Sequence, residues 1–70
     1  MYKNILDKAK SHFNMGLKLF NDCNYLESED EFLYALELFP ERLSIISNLI
    51  KIYIITEDIK KLNFFKKYFF

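Results

Sequence analysis

Residues 24–40 set the strongest limit on what this chain can become. Leu26 or Tyr25, then Glu29, Phe32, Leu33, Leu36 and Phe39 recur at steps of three and four, which places one side of a helix. Pro40 closes it, because proline disfavours helical geometry for the residue before it. The rest of the chain holds a single glycine and no further proline, so little else interrupts regular structure. Ile5, Ala9, Phe13, Gly16, Leu17 and Phe20 share that spacing and predict a first helix over residues 3–22. Asn21, Asp22, Cys23 and Asn24 form a polar break suited to turn geometry. The second helix then covers residues 25–39. A third begins at Arg42 or Leu43, with Leu43, Ile46, Leu49, Ile50, Tyr53 and Ile54 on one broad face. Thr56, Glu57 and Asp58 break the chain again, and Ile59, Leu62, Phe64 or Phe65, and Phe69 carry a fourth helix to the end. The pairs Ile45-Ile46 and Ile52 to Ile55 have strand-like composition, but no period-two alternation supports a strand. Connections this short make successive helices antiparallel. The expected fold class is all-α, two stacked antiparallel helical hairpins.

Size makes the composition informative. A chain of 70 residues buries only about 60% of its unfolded surface, and its own core supplies no more than ~3–5 kcal/mol. Yet 51% of its residues are apolar and 19% aromatic, so some rings must lie outside. Such rings mark a contact with another molecule or another copy, or a stack cut where its next neighbour sits. Ten acids balance ten bases, which leaves no broad basic field and argues against electrostatic binding of nucleic acid. The charges are segregated. Asp22, Glu27, Glu29, Asp30 and Glu31 crowd the middle, and Lys60, Lys61, Lys66 and Lys67 the end. Two solvated helix faces account for this, and the acids also complement the dipole of the second helix. One cysteine, Cys23, rules out an internal disulfide and fits a reducing compartment. Lysines scattered through residues 1–20 leave no apolar leader segment. Residues 43–56 are too few, and carry Asn48 and Lys51, for a membrane span of ~20 apolar residues. The expected setting is cytoplasmic.

Residues 9–42 resemble a complete tetratricopeptide repeat, a 34-residue helix–turn–helix unit. The resemblance rests on Met15-Gly16, Tyr25, Phe32, Ala35 and Pro40 in ungapped spacing, and on the closing stretch Ala35-Leu36-Glu37-Leu38-Phe39-Pro40. A second, shortened unit covers residues 43–70. Its Asn48-Leu49 mirrors Asn14-Met15, and its Tyr53 mirrors Leu19. Residues 1–8 extend the first helix. There are departures. His12 and Ile46 stand where the family often has Trp, Ile50 where it has Gly, Ser28 and Leu62 where it has a small apolar residue, and Cys23 and Glu57 where its turn often has Gly.

The resemblance implies that Gly16 and Ala35 are small where helices cross, and that Phe32 fills the space between the arms. It also implies that the first helix of each hairpin lines a concave groove. That groove would present Lys10, Phe13, Asn14, Leu17, Phe20 and Asn21 from one unit, and Ser44, Ser47, Asn48 and Lys51 from the other. Asn14 and Asn48 would bond an extended peptide's backbone, and Lys10 and Lys51 would attract an acidic group. Packing of Phe13 and Phe20 against a neighbouring helix is the alternative. Phe13 and Leu17 occupy positions where the family's chaperone-tail binders carry Lys and Asn, so that specificity is not expected.

Chemistry finds little support. His12 and Cys23 lie in no nucleophile–base arrangement, no Cys/His cluster has metal-ligand spacing, and no Gly-rich loop exists to hold phosphate. The carboxylates Glu27, Asp30 and Glu31 read as a solvated face. The expected function is therefore a non-catalytic protein–protein interaction module without cofactor or metal, whose partner is a protein, a peptide or itself. Phe64, Phe65, Tyr68, Phe69 and Phe70 are the candidate surface for forming a homo-oligomer. The alternative function is membrane-surface or nucleic-acid binding by the same lysine-rich end.

Overall fold

A computed structural model of the chain describes residues 4–67. It holds four helices, α1 (Ile5–Asn21), α2 (Tyr25–Leu38), α3 (Leu43–Ile55) and α4 (Ile59–Lys66), and no strand among the described residues. Each bound falls within a residue or two of the expected one, except that α4 ends at Lys66.

Local chemistry explains the ends. The Asn4 side chain accepts the Asp7 N–H at 2.9 Å and so caps α1, and Asp58 does the same for the Lys61 N–H of α4 at 3.2 Å. Phe39 closes α2 by donating its N–H to the Ala35 carbonyl, and Pro40 follows. The α1–α2 and α3–α4 turns are built alike. In the first, Cys23 N–H reaches Phe20 O and Asn24 N–H reaches Leu19 O, the two bonds of a Schellman motif. In the second, Glu57 N–H reaches Ile54 O and Asp58 N–H reaches Tyr53 O, each bond 34 positions on from its counterpart. The motif needs a left-handed residue, and here it is Cys23 at φ 64° and Glu57 at φ 59°. Glycine is the usual occupant.

The short turns fold each helix back on the last, so α1 packs on α2, α2 on α3 and α3 on α4. The result is a slab of 36 × 27 × 13 Å with two layers, α1 beside α3 and α2 beside α4. Its core is Phe32 and Ala35 from α2, Ile45, Ile46, Leu49, Ile52 and Tyr53 from α3, and Phe65 from α4. Phe13, Phe20, Tyr25, Leu36, Phe39, Ile50 and Leu62 pack around it half-buried. The α1–α2 crossing is close. A Cβ placed on Gly16 would lie 2.7 Å from the Phe32 ring, and the Ser28 hydroxyl donates to the Gly16 carbonyl at 2.7 Å.

Three apolar faces differ from expectation. On α2 Tyr25 and not Leu26 packs inward and Leu33 faces out, while Ser28 and Ala35 join the expected Glu29 and Phe32 inside. Leu43 and Ile54 of α3 are exposed, while Ile45 and Ile52 are buried. That helix is apolar on nearly every side, so its period does not define a face and tertiary packing decides. Ile59 of α4 is exposed.

Candidate interaction surface

Part of the groove expected on α1 and α3 is present as a cleft near one end of the two helices. A cleft of about 210 Å³ opens between the two helices, lined by Ala9, Lys10, Phe13, Arg42, Ser44 and Ile45. It gathers Lys10, Phe13 and Ser44 of the expected set. Asn14, Leu17, Phe20, Asn21, Ser47, Asn48 and Lys51 lie outside its lining. Phe13 forms part of the apolar floor but also meets the Phe32 ring, centroids 5.5 Å apart and tilted at 59°. Phe20 packs edge-on against Tyr25 at 5.5 Å, a contact across the hairpin turn. Asn48 turns its Nδ2 back onto the Ser44 carbonyl at 2.8 Å, so part of its bonding capacity is spent within α3. Lys10, Asn14, Asn21, Ser44 and Lys51 are exposed.

Three lining residues, Ala9, Arg42 and Ile45, escaped the groove read from the sequence. Arg42 stands at the N-cap position of α3 and leans over the Phe39 ring at 6.0 Å. Its place just after the Pro40 turn is the signal that would have pointed there. Ile45 belongs to the α3 face that the periodicity misplaced. Lys10 and Arg42 have no carboxylate within 4.0 Å among the described residues, and no acid lines the cleft. The cleft thus offers an apolar floor, a hydroxyl and two cations to a ligand.

The aromatic C-terminal surface requires a correction. Phe65 is 7% exposed and stacks on Tyr53, centroids 5.7 Å apart, so it belongs to the core and not to a self-association face. The α3–α4 packing had to bury one of two adjacent rings, and sequence spacing alone left the choice open. Phe64 is 54% exposed and meets Phe65 edge-on at 5.0 Å. Tyr68, Phe69 and Phe70 lie outside the described residues.

A polar cluster ties the hairpins together. Glu29, 7% exposed, accepts the Tyr53 hydroxyl at 2.8 Å and the Lys61 ammonium at 3.0 Å on the same oxygen. It therefore links α2 to both helices of the second hairpin. Burial, followed by the bond to Glu29, pushes the Tyr53 hydroxyl far above its ordinary range, and the bond to Glu29 raises Lys61. Glu29 stands on an apolar stripe in the sequence, which marks it as buried but not as bonded. His12 donates from Nδ1 to Glu31 Oε1 at 2.7 Å and stacks on Tyr34 at 5.0 Å, fastening α1 to α2. Among the described residues no three His, Cys, Asp or Glu side chains gather as metal ligands, and no helix is long and apolar enough to cross a membrane.

The chain matches no protein-family model, and neither a similar curated protein nor a similar solved structure was found.

Proposed function

We propose that this chain is a non-catalytic protein-interaction module of two tetratricopeptide-like hairpins, which takes an extended acidic peptide in the cleft between α1 and α3. The observation that carries this reading is the cleft's lining, with Ala9, Phe13 and Ile45 as floor and at its rim the cations Lys10 and Arg42, neither within 4.0 Å of a carboxylate among the described residues. An acidic residue beside an apolar one satisfies both features at once. The recurrence of the Schellman turn 34 positions apart supports the repeat reading behind it. The single cysteine, exposed at the first turn, fits a reducing, cytoplasmic setting.

Selection of binders from a displayed library of random peptides tests the reading directly. It should enrich sequences that pair Asp or Glu with a neighbouring apolar residue. The Lys10→Glu, Arg42→Glu double variant should lose those peptides by about tenfold or more, the effect of removing two charge contacts worth ~0.7 kcal/mol each, while circular dichroism stays unchanged. A library that yields no acidic consensus, or a double variant that binds the same peptides equally well, would overturn it.

A further inference from the structure

We propose that the acidic group held in the α1–α3 cleft is a phosphorylated serine or threonine side chain of the partner peptide. The inference rests on the interaction-module reading above and narrows it from acidic peptides in general to phosphopeptides. What carries it is the set of donors around one small space. Lys10 of α1, and Arg42 and Ser44 at the start of α3, line a cleft of about 210 Å³, and all three are exposed. Neither cation lies within 4.0 Å of a carboxylate among the described residues, and no Asp, Glu or His lines the cleft among them. Two positive charges thus face this space with no local acid to balance them. One carboxylate balances one of them. A phosphate monoester carries about −1.5 to −2 at neutral pH and balances both.

Shape leads to the same group. Arg42 lies over the Phe39 ring at 6.0 Å. That contact engages the guanidinium's charge and not its N–H fork, which can still take two oxygens of one anion. A carboxylate held in this way has both oxygens on one donor. A phosphate monoester keeps a third terminal oxygen, outside that plane, for Lys10 on the facing helix or for the Ser44 hydroxyl. The hydroxyl is distinct from the Ser44 carbonyl, which accepts the Asn48 amide at 2.8 Å. Size excludes larger phosphate carriers. Pockets for ligands of nucleotide size run to ~300–1,000 Å³, so this cleft suits a side-chain phosphate and not a nucleotide. Ala9, Phe13 and Ile45 remain for a neighbouring side chain, which makes the ligand a phosphoserine or phosphothreonine beside an apolar residue.

Three peptide libraries, alike in their randomised flanks and differing only in a fixed central phosphoserine, Glu or Ser, test this on the intact chain. The phosphoserine library should be retained about tenfold or more above the Glu library, and the Glu library above the Ser library. The retained phosphopeptides should carry an apolar residue next to the phosphoserine. Affinity for one such peptide should rise severalfold between about pH 5 and pH 7, as the phosphate loses its second proton near pH 6. Its Glu counterpart, largely ionised throughout that range, should change little. No lining residue among those described titrates there. Arg42→Lys keeps the charge and removes the fork, so it should erase most of the phosphoserine preference while the Glu peptide binds nearly as before. Glu retained as well as phosphoserine would overturn the phosphate and leave the acidic-peptide reading standing. Equal retention of all three libraries would overturn both. The proposal also fails if the phosphopeptide's affinity is flat with pH, or if Arg42→Lys, helical by circular dichroism, keeps the full preference. It fails too if vesicles containing phosphatidic acid displace the peptide at equal phosphate concentration, since a lipid headgroup is then the better ligand.

Discussion

Gly16 and Phe32 form the contact on which the first hairpin depends. A methyl on Gly16 would sit 2.7 Å from a ring that is wholly buried and has no room to withdraw. Alanine gains ~1 kcal/mol of helix propensity over glycine, against ~1–3 kcal/mol for overpacking a filled site. Because the obstructing atoms are a ring and not a flexible tip, the clash should win, and Gly16→Ala should lower the urea midpoint. Phe32→Ala should cost ~3–5 kcal/mol, as much as a core of this size provides, so that variant should show no cooperative transition at all. Glu57 gives a contrast of sign. Its φ of 59° is strained for any side chain, and its own is exposed. Glu57→Gly should therefore raise stability by up to ~1 kcal/mol, while Glu57→Val, β-branched at positive φ, should lower it. Paired urea melts check both, and equal midpoints for the two would contradict the strained turn. These positions were open to reading in the sequence because glycine, proline and turn residues act through their own backbone.

Between elements, Glu29 is the joint. It offers one carboxylate oxygen to Tyr53 of α3 and Lys61 of α4, so the orientation of the second hairpin is bonded to α2 as well as packed against it. The folded chain holds the Tyr53 and Lys61 protons more tightly than a free chain does. Unfolded Tyr and Lys release theirs above about pH 10. Stability from this joint is thus whole below pH 10 and is lost as pH climbs through the raised native values. Urea midpoints should stay level from pH 8 to about 10 and then decline, and Tyr53→Phe should make the decline shallower. A midpoint that rises with alkali would contradict the arrangement. None of this was legible from the sequence. Helical period told that Glu29 and Tyr53 face inward, but a bond between residues on different helices depends on how those helices rotate. The same rotation explains why Ile45 and Ile52 were missed on α3, a helix with apolar residues almost all round. It also explains why Phe64 and Phe65 were not told apart.

For the molecule as a whole, the buried core is concentrated on the two helices that meet at the junction of the hairpins. Seven of the eight clustered core residues come from α2 and α3. Those two helices belong to different hairpins and are joined across Pro40. Number and order of helices could be read from the sequence because breakers and short connections leave few alternatives. The cleft could be read only in part, since its two ends, Lys10 and Arg42, meet through tertiary folding. The position of the core has a direct consequence. Residues 1–40 alone would expose Phe32, Leu36 and Phe39, and residues 41–70 would expose Ile45, Ile46, Leu49 and Tyr53. Isolated helices of this length are marginal in water, since nucleation is costly and packing provides most of their stability. Each fragment should therefore show only weak helical circular dichroism and no cooperative thermal transition. The intact chain should melt in a single step, because neither hairpin retains a core once the other has gone. A fragment that keeps its share of helicity and melts sigmoidally would place the centre of stability within one hairpin and would contradict the junction as the cooperative unit.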